Sequence, residues 1–228
     1  FGSIRVFTHF EELKTILEKV ESQLHFVPFS EIVYNRGIYR YSDKLFADYP
    51  EDEHKISDRR IASNAFQKLR NHFYDDMPTD GLDYFKIIGR YRNQRLYKYF
   101  RTDYLSPPDN FNKYKAIGEI LSTPLIGEPL IGHTETFISI GAFDSRDEAE
   151  SVLKYVQSKF ARTLLGILKI TQDNTKSTWA KVPMQDFTEN SDIDWTKSVA
   201  EIDQQLYKKY GLTEEEIAFI EEKVQAME

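Results

Sequence analysis

The residue types with the clearest chemical use lie between Tyr84 and Arg101. This segment has six basic residues and no acidic one: Lys86, Arg90, Arg92, Arg95, Lys98 and Arg101. Aromatic residues are interleaved with them. Because arginine is the usual reader of guanine edges in DNA, the segment indicates contact with a nucleic acid. The alternative is a solvated strand pair whose charges keep a sheet edge soluble.

Alternation along this segment predicts a β-hairpin with one cationic face. With Asn93 and Gln94 as the two-residue turn, Arg92 lies opposite Arg95. One face then carries Lys86, Ile88, Arg90, Arg92, Arg95, Tyr97, Tyr99 and Arg101, and the other carries Phe85, Ile87, Gly89, Tyr91, Leu96, Phe100 and, as an exception, Lys98. Like charges directly opposite each other destabilise a hairpin, so this register favours an anion above the two arginines. A two-stranded ribbon also fits the major groove.

No combination of residues predicts catalysis or metal binding. The chain has no cysteine, and its five histidines lack metal-ligand spacing. The triplets Glu53-His54-Lys55 and Glu221-Glu222-Lys223 resemble fragments of a nuclease motif, but neither has a convincing strand context. We therefore predict no catalytic residue, no metal site and no cofactor site in these residues.

The net charge hides an uneven distribution. The 228 residues carry 30 basic against 37 acidic side chains, a net charge of −7. Residues 58–116 hold 12 basic and 7 acidic residues, whereas residues 182–228 hold 4 basic and 12 acidic ones. Positive charge is thus concentrated around the predicted hairpin, and acidity at the C-terminal end. The most apolar stretch, residues 164–170, is too short to span a bilayer, so we expect no membrane partner.

Helix start signals and strand-like segments together predict an α+β fold. Four capping boxes begin at Thr8, Ser145, Ser198 and Thr213. The second predicts the longest helix, running past residue 160, and the last two predict an acidic C-terminal helical pair. Strands are predicted at 26–34, 38–41, 84–101 and 136–143, and the tandem PLIG sequences at 124–127 and 129–132 are interpreted as a Gly/Pro connection. The expected architecture has mixed or antiparallel strands, a long central helix and the helical pair.

Several sequence blocks carry a resemblance to a known family. They are residues 37–44 (GIYRYSDK), 63–68, 88–90, 95–99, 118–133 (GEILSTPLIGEPLIGH), 136–141, 169–176 (KITQDNTK), 182–187 and 195–220. In these blocks the chain resembles the C-terminal target-recognition region of adenine-specific DNA methyltransferases from restriction–modification systems, including combined restriction–methylation enzymes. Residues 1–25 carry little of the resemblance.

The resemblance implies that this chain recognises double-stranded DNA and that the chemistry resides elsewhere. The family's Phe-x-Gly-x-Gly loop for S-adenosylmethionine and its Asn-Pro-Pro-Tyr/Phe loop for the flipped adenine are absent from the sequence. The chain begins Phe-Gly-Ser without an initiator Met, so we expect a cytoplasmic fragment whose methyltransferase domain lies upstream, with a nuclease possible in the same polypeptide. Residues 1–25 would be a linker helix, 26–187 the recognition domain and 188–228 an acidic extension.

The candidate DNA contacts fall into three groups, ranked by how directly their residue types suit phosphate and base-edge contacts. The hairpin residues Lys86, Arg90, Arg92, Arg95, Lys98 and Arg101 come first. Gln172, Asn174, Thr175 and Lys176, in the polar run after the long helix, come second, and Tyr39 and Arg40 third. One departure is the short segment at Ala116, where related sequences carry a longer Gly/Ser-containing stretch.

Two other functions stay open at this point. The chain is a stand-alone protein-interaction module if its acidic C-terminal helices capture a partner. It is a nuclease in its own right if Glu53 belongs to a metal-dependent site.

Overall fold

The computed structural model describes residues 11–92, 94–119, 122–168 and 175–225. Along these residues most strands lie between an N-terminal helix and a C-terminal group of helices. The helices are α1 (Glu11–Glu21), α2 (Asp43–Asp48), α3 (Ala65–Lys68), α4 (Arg146–Gln157), α5 (Lys159–Leu168), α6 (Val199–Lys209) and α7 (Glu214–Lys223). The strands are β1 (Arg40–Tyr41), β2 (Tyr84–Tyr91), β3 (Gln94–Arg101), β4 (Leu105–Ser106), β5 (Tyr114–Glu119), β6 (Ser122–Gly127), β7 (Ile131–His133) and β8 (Ile138–Phe143). The predicted α+β class is confirmed.

The described strands form three small sheets. One has the order β3-β2-β7, in which β2 and β3 are antiparallel and β7 runs parallel to β2. A second, antiparallel throughout, has the order β6-β5-β8. The third pairs the two-residue strands β1 and β4. The mixture of antiparallel and parallel pairs agrees with the predicted architecture.

Two hydrophobic cores stabilise these elements. The helical core contains side chains from α1, α4, α5, α6 and α7 together with β8, and Trp179 and Trp195 are buried in it. The aromatic core lies between residues 39 and 111 and includes Phe66, Phe85 and Phe100. A third small cluster, Ile88, Ile117 and Phe137, brings together side chains of the two three-stranded sheets.

The predicted long central helix is wrong: it is two helices, α4 and α5, separated at Ser158. Ser158 is extended (ψ 144°), and its hydroxyl accepts from the N–H of Ala161. The carboxylate of Asp203, on α6, accepts from the backbone N–H groups of Lys159 and Phe160 at 3.0 and 2.9 Å. These bonds satisfy the first N–H groups of a new helix, so the chain begins α5 there. Burial raises the pKa of Asp203 to about 6.

Two strand predictions also need correction. Residues Phe29–Ile32, inside the predicted strand 26–34, form a 3₁₀ helix because the Phe29 ring packs inward against Tyr155 and Trp179. Neither PLIG sequence is a plain connection: the first, at 124–127, lies within β6, and the last residues of the second begin β7. At Gly132 a Cβ would lie 2.9 Å from the Phe85 ring, so glycine is needed for close packing against the aromatic core.

The C-terminal helical pair is confirmed, and its apolar seam is buried within this chain. The capping boxes at Ser198 and Thr213 each make both reciprocal hydrogen bonds. Thr8, the first predicted cap, lies outside the described residues, and α1 begins at Glu11. Glu216 of α7 accepts from Thr15 and Lys19 of α1 at 2.7 and 2.6 Å. The helices therefore pack on the helical core instead of presenting an apolar surface.

The side chain of Lys115, a residue of β5, bonds to backbone carbonyls in the loop before β5 and in the connection after β6. Its side chain is fully buried, and the ammonium donates to the carbonyls of Asn110 and Lys113, both at 2.9 Å, and to those of Phe111 and Glu128, both at 3.4 Å. Burial lowers the pKa of this ammonium to about 8. The four carbonyls offset part of the cost of desolvating the charge. None of the described helices is long and apolar enough to cross a bilayer.

We expect Lys115 to make folding stability rise with pH in alkaline solution. Its pKa is 10.5 when unfolded and about 8 when folded, so between these values the unfolded chain holds one more proton. Stability therefore increases from pH 8 to 10.5, by on the order of 3 kcal/mol. Urea unfolding of the wild type and Lys115→Met across this range measures the difference. A constant difference would contradict a buried, titrating Lys115, because all tyrosine contributions are shared by the two proteins.

Candidate nucleic-acid interface

The β2–β3 hairpin has the predicted faces but a different register. Tyr91 pairs with Gln94 and Arg90 with Arg95, so the predicted pairing of Arg92 with Arg95 is wrong. Arg92 is in the turn, with φ of +48°, and Asn93 lies outside the described residues. The register shifts by two residues, and a period of two therefore leaves every side chain on its predicted face.

Packing of the inner face explains this register. Phe85 lies opposite Phe100, and their rings meet edge to face with centroids 5.8 Å apart. Phe100 also stacks on Phe73 at 4.8 Å, and Ile87 is fully buried beside them. These contacts fix the hairpin on the aromatic core.

The outer face of the hairpin carries Lys86, Arg90, Arg92 at the turn, Arg95, Tyr97 and Tyr99, which are called the cationic face below. Ile88, between Lys86 and Arg90, is fully buried against Ile117 and Phe137. Lys86, Arg92 and Tyr97 are exposed, whereas Arg90, Arg95 and Tyr99 are half-buried. Aromatic rings support three of the cations: Lys86 lies over Tyr99 at 5.7 Å, Arg92 over Tyr91 at 5.2 Å and Arg95 over Phe137 at 5.7 Å. Such contacts hold long side chains in place without removing their charge.

Two of the predicted hairpin contacts are engaged elsewhere. Lys98 points to the opposite side of the hairpin and forms an ion pair with Asp75 at 2.5 Å. Arg101 forms an ion pair with Asp103 at 2.7 Å and donates to the hydroxyl of Tyr104 at 2.9 Å. Carboxylates nearby in space therefore neutralise both charges: Lys98 lies off the cationic face, and Arg101 lies on the same side of the sheet as that face, at its far end beside Asp103.

The structure does not group the described members of the second and third sets of predicted contacts with the cationic face. Gln172 and Asn174 lie outside the described residues. Thr175 directly precedes a 3₁₀ helix that packs on the helical core, and Lys176 is the first residue of that helix. Tyr39 is 1% exposed inside the aromatic core, where its hydroxyl donates to Asn110 and to the carbonyl of Ile131 at 3.3 and 3.4 Å, and burial raises its pKa. Arg40 is exposed on β1.

In each of the two nuclease-like triplets, a glutamate forms an ion pair with a basic side chain outside the triplet. Glu53 pairs with Arg59 at 2.9 Å on the surface, and Glu221 pairs with Lys159 and accepts from the Tyr207 hydroxyl at 3.0 Å. Among the residues that the structure describes, no group of three or more His, Cys, Asp or Glu side chains is placed to hold a metal ion.

One concave site was missed by sequence reasoning. A cavity of about 180 Å³ lies at the open end of the hairpin, where Tyr84 pairs with Arg101. It is lined by Tyr49, His72, Tyr74, Asp80, Leu82, Tyr84, Arg101 and Tyr104. These residues are spread over more than 50 positions and share no local pattern, so only the high content of aromatic residues hinted at them.

Comparison with known proteins yields no relative: no family model, no curated protein and no solved structure matches this chain.

His133 supports the cationic face from within. It is adjacent to Ile88 across the β2–β7 pair and is 1% exposed. Its Nδ1 donates to the carbonyl of Thr134 at 2.9 Å, so in the neutral ring Nε2 accepts from the Ser139 hydroxyl at 2.5 Å. Burial lowers the pKa of His133 to about 4.

We expect His133 to destabilise the fold in acid. Its pKa is 6.5 in the unfolded chain and about 4 in the folded one, so between these values the unfolded chain binds the extra proton. Stability present above pH 6.5 is lost as the pH falls towards 4, by on the order of 3 kcal/mol. Urea unfolding at several pH values should show the advantage of wild type over His133→Gln shrinking across this range. An advantage independent of pH would contradict the buried neutral imidazole.

Proposed function

We propose that this chain binds double-stranded DNA through the cationic face of the β2–β3 hairpin, as the target-recognition region of an adenine-specific restriction–modification methyltransferase. The observation that carries the DNA-binding part is this face: four cations and two tyrosines on one side of a ribbon whose other side is fixed in the core. The methyltransferase part is supported by the sequence blocks that resemble that family. Methyl transfer from S-adenosylmethionine would belong to a domain upstream, and no residue of this chain has a catalytic role in the proposal.

The shape of the ribbon suits the major groove. A two-stranded β-ribbon fits that groove, and exposed arginine side chains reach guanine edges from it. Arg92, exposed at the turn, is the candidate for the deepest contact. Lys86, farther from the turn, is the candidate for a phosphate contact, which sets position without reading sequence.

The hairpin also places two guanidinium groups side by side, since Arg90 lies directly opposite Arg95. Guanidinium groups bind phosphate through paired hydrogen bonds, so this pair is a candidate for a contact with the DNA backbone.

Separation of charge would orient the chain on DNA. The acidic C-terminal helices pack on the helical core, whereas the cationic face belongs to the hairpin on the aromatic core. A polyanion is attracted to the hairpin and repelled by the acidic C-terminal helices, so the net charge of −7 does not oppose binding at the hairpin.

Replacing Arg92 with asparagine tests the contribution of its charge to DNA binding without disturbing the fold. Asparagine tolerates positive φ better than arginine, so Arg92→Asn should leave the free energy of unfolding unchanged or raise it by up to about 1 kcal/mol. Affinity for duplex DNA should fall about tenfold, and the slope of log K against log salt should decrease by about one. Fluorescence anisotropy at several salt concentrations measures both.

The matched control for this experiment is Lys208→Asn, which removes an exposed cation from α6. It should change neither the affinity nor the salt slope. Wild-type affinity and slope in Arg92→Asn would refute the assignment of the hairpin as the DNA-binding surface.

The two lysines of the hairpin provide a second test. Lys86 lies on the cationic face, whereas Lys98 lies on the opposite side and is paired with Asp75. Lys86→Gln should weaken duplex binding about uniformly across sequences, by roughly three- to tenfold at low salt, while Lys98→Gln should leave it within twofold. Equal losses from both variants, measured by electrophoretic mobility shift, would mean that total charge and not this face determines binding.

A further inference from the structure

The cavity at the open end of the hairpin is walled by four tyrosine rings. Tyr74 and Tyr84 meet edge to face at 5.7 Å, and Tyr49 and Tyr104 do so at 6.2 Å. Tyr49 and Tyr74 are 39% and 40% exposed, so the walls are open to solvent on one side. Tyr84 and Arg101 continue the sheet face of Lys86 and Tyr99, which makes the cavity contiguous with the cationic face.

Neighbouring residues hold the Asp80 carboxylate and the Arg101 guanidinium in place in the cavity. Both groups can still form further hydrogen bonds. Asp80 accepts from the Tyr84 hydroxyl at 2.8 Å and from the N–H of Leu82 at 3.1 Å, and these bonds hold its pKa below the usual range. A carboxylate can accept further bonds, and the five N–H donors of Arg101 exceed its contacts with Asp103 and Tyr104. Such prior fixation lowers the cost of binding a ligand.

Size and charge restrict the ligand class. A volume of about 180 Å³ is below the ~300–1,000 Å³ of pockets for drug-sized molecules, so the occupant is a small ring system. Tyrosine walls favour a planar ring that stacks. The ring also needs donors to face Asp80 and acceptors to face Arg101. Guanine has two adjacent donors, N1–H and N2–H₂, which suit the two oxygens of a carboxylate, and two adjacent acceptors, O6 and N7, which suit a guanidinium, whereas adenine has a single amino donor beside N7.

We propose that this tyrosine cavity binds a single unpaired guanine base, adjacent to the duplex held on the cationic face. The proposal rests on the proposed DNA-binding function, since the base reaches the cavity from DNA on that face. The phosphate of the unpaired nucleotide would lie towards Lys86, and the base would leave its own stack to enter the cavity. Stacking on aromatic side chains offsets the cost of unstacking.

The test uses the full chain and three labelled DNAs at low salt: a fully paired duplex, the same duplex with one unpaired guanine, and the same duplex with one unpaired adenine. The unpaired-guanine duplex should bind about tenfold more tightly than either of the others, the scale expected of one stacked base. Tyr74→Ala and Asp80→Asn should reduce this preference to less than about twofold. Met77→Ala, an exposed apolar residue outside the cavity, should preserve it.

Guanosine alone separates the cavity from the DNA-binding surface. Quenching of tyrosine fluorescence by guanosine, absent with adenosine, should persist in Arg92→Asn and disappear in Tyr74→Ala. Equal affinity for all three DNAs together with no guanosine binding would overturn the cavity proposal while leaving duplex recognition standing. Guanosine binding without any duplex binding would support the cavity and overturn the proposed function.

Discussion

The Lys115 ammonium satisfies carbonyls that the fold buries where strand β5 meets the loop before it, and the hairpin depends on that loop. One of these carbonyls belongs to Phe111, whose ring contacts Phe85 at 5.0 Å and Tyr39 at 6.3 Å. Phe85 in turn sets the register of β2 against β3. A buried cation on one sheet therefore fixes the backbone beneath the other. Charged groups buried in this way are costly unless all their donors find acceptors, so the loop has little freedom to move independently.

Most packing contacts of the hairpin are made on one face, and most of its charges lie on the opposite face. The apolar side chains of the inner face, together with Ile88 on the outer face, determine where the ribbon lies, whereas the exposed cations contribute little to that position. The charged residues of such a surface can be substituted without a change in the backbone that carries them. Its neighbour, the tyrosine cavity, is different, because the same hydrogen bonds that shape it also orient the groups facing a ligand.

Patterns with a local physical cause were predictable from the sequence, and those with a distant cause were not. The capping boxes of α6 and α7 and the two faces of the hairpin follow from residues that are neighbours in the chain. The hairpin register depends on Phe85 meeting Phe100 in the core, and the break after α4 depends on Asp203. The burial of Tyr39 and the ion pair of Lys98 with Asp75 also required the tertiary structure. For the same reason the cavity, assembled from four separate segments, gave no signal in the sequence.

The cap that Asp203 provides makes two distant helices a single cooperative unit. The first N–H groups of α5 have their acceptor on α6, so docking of α6 completes the hydrogen bonding of the first turn of α5. The amide protons of Lys159 and Phe160 are consequently protected from exchange with solvent by a helix that follows much later in the chain. Opening of α6 would expose both amides together, and local fluctuations at the C-terminal helices are thereby transmitted to the centre of the helical core.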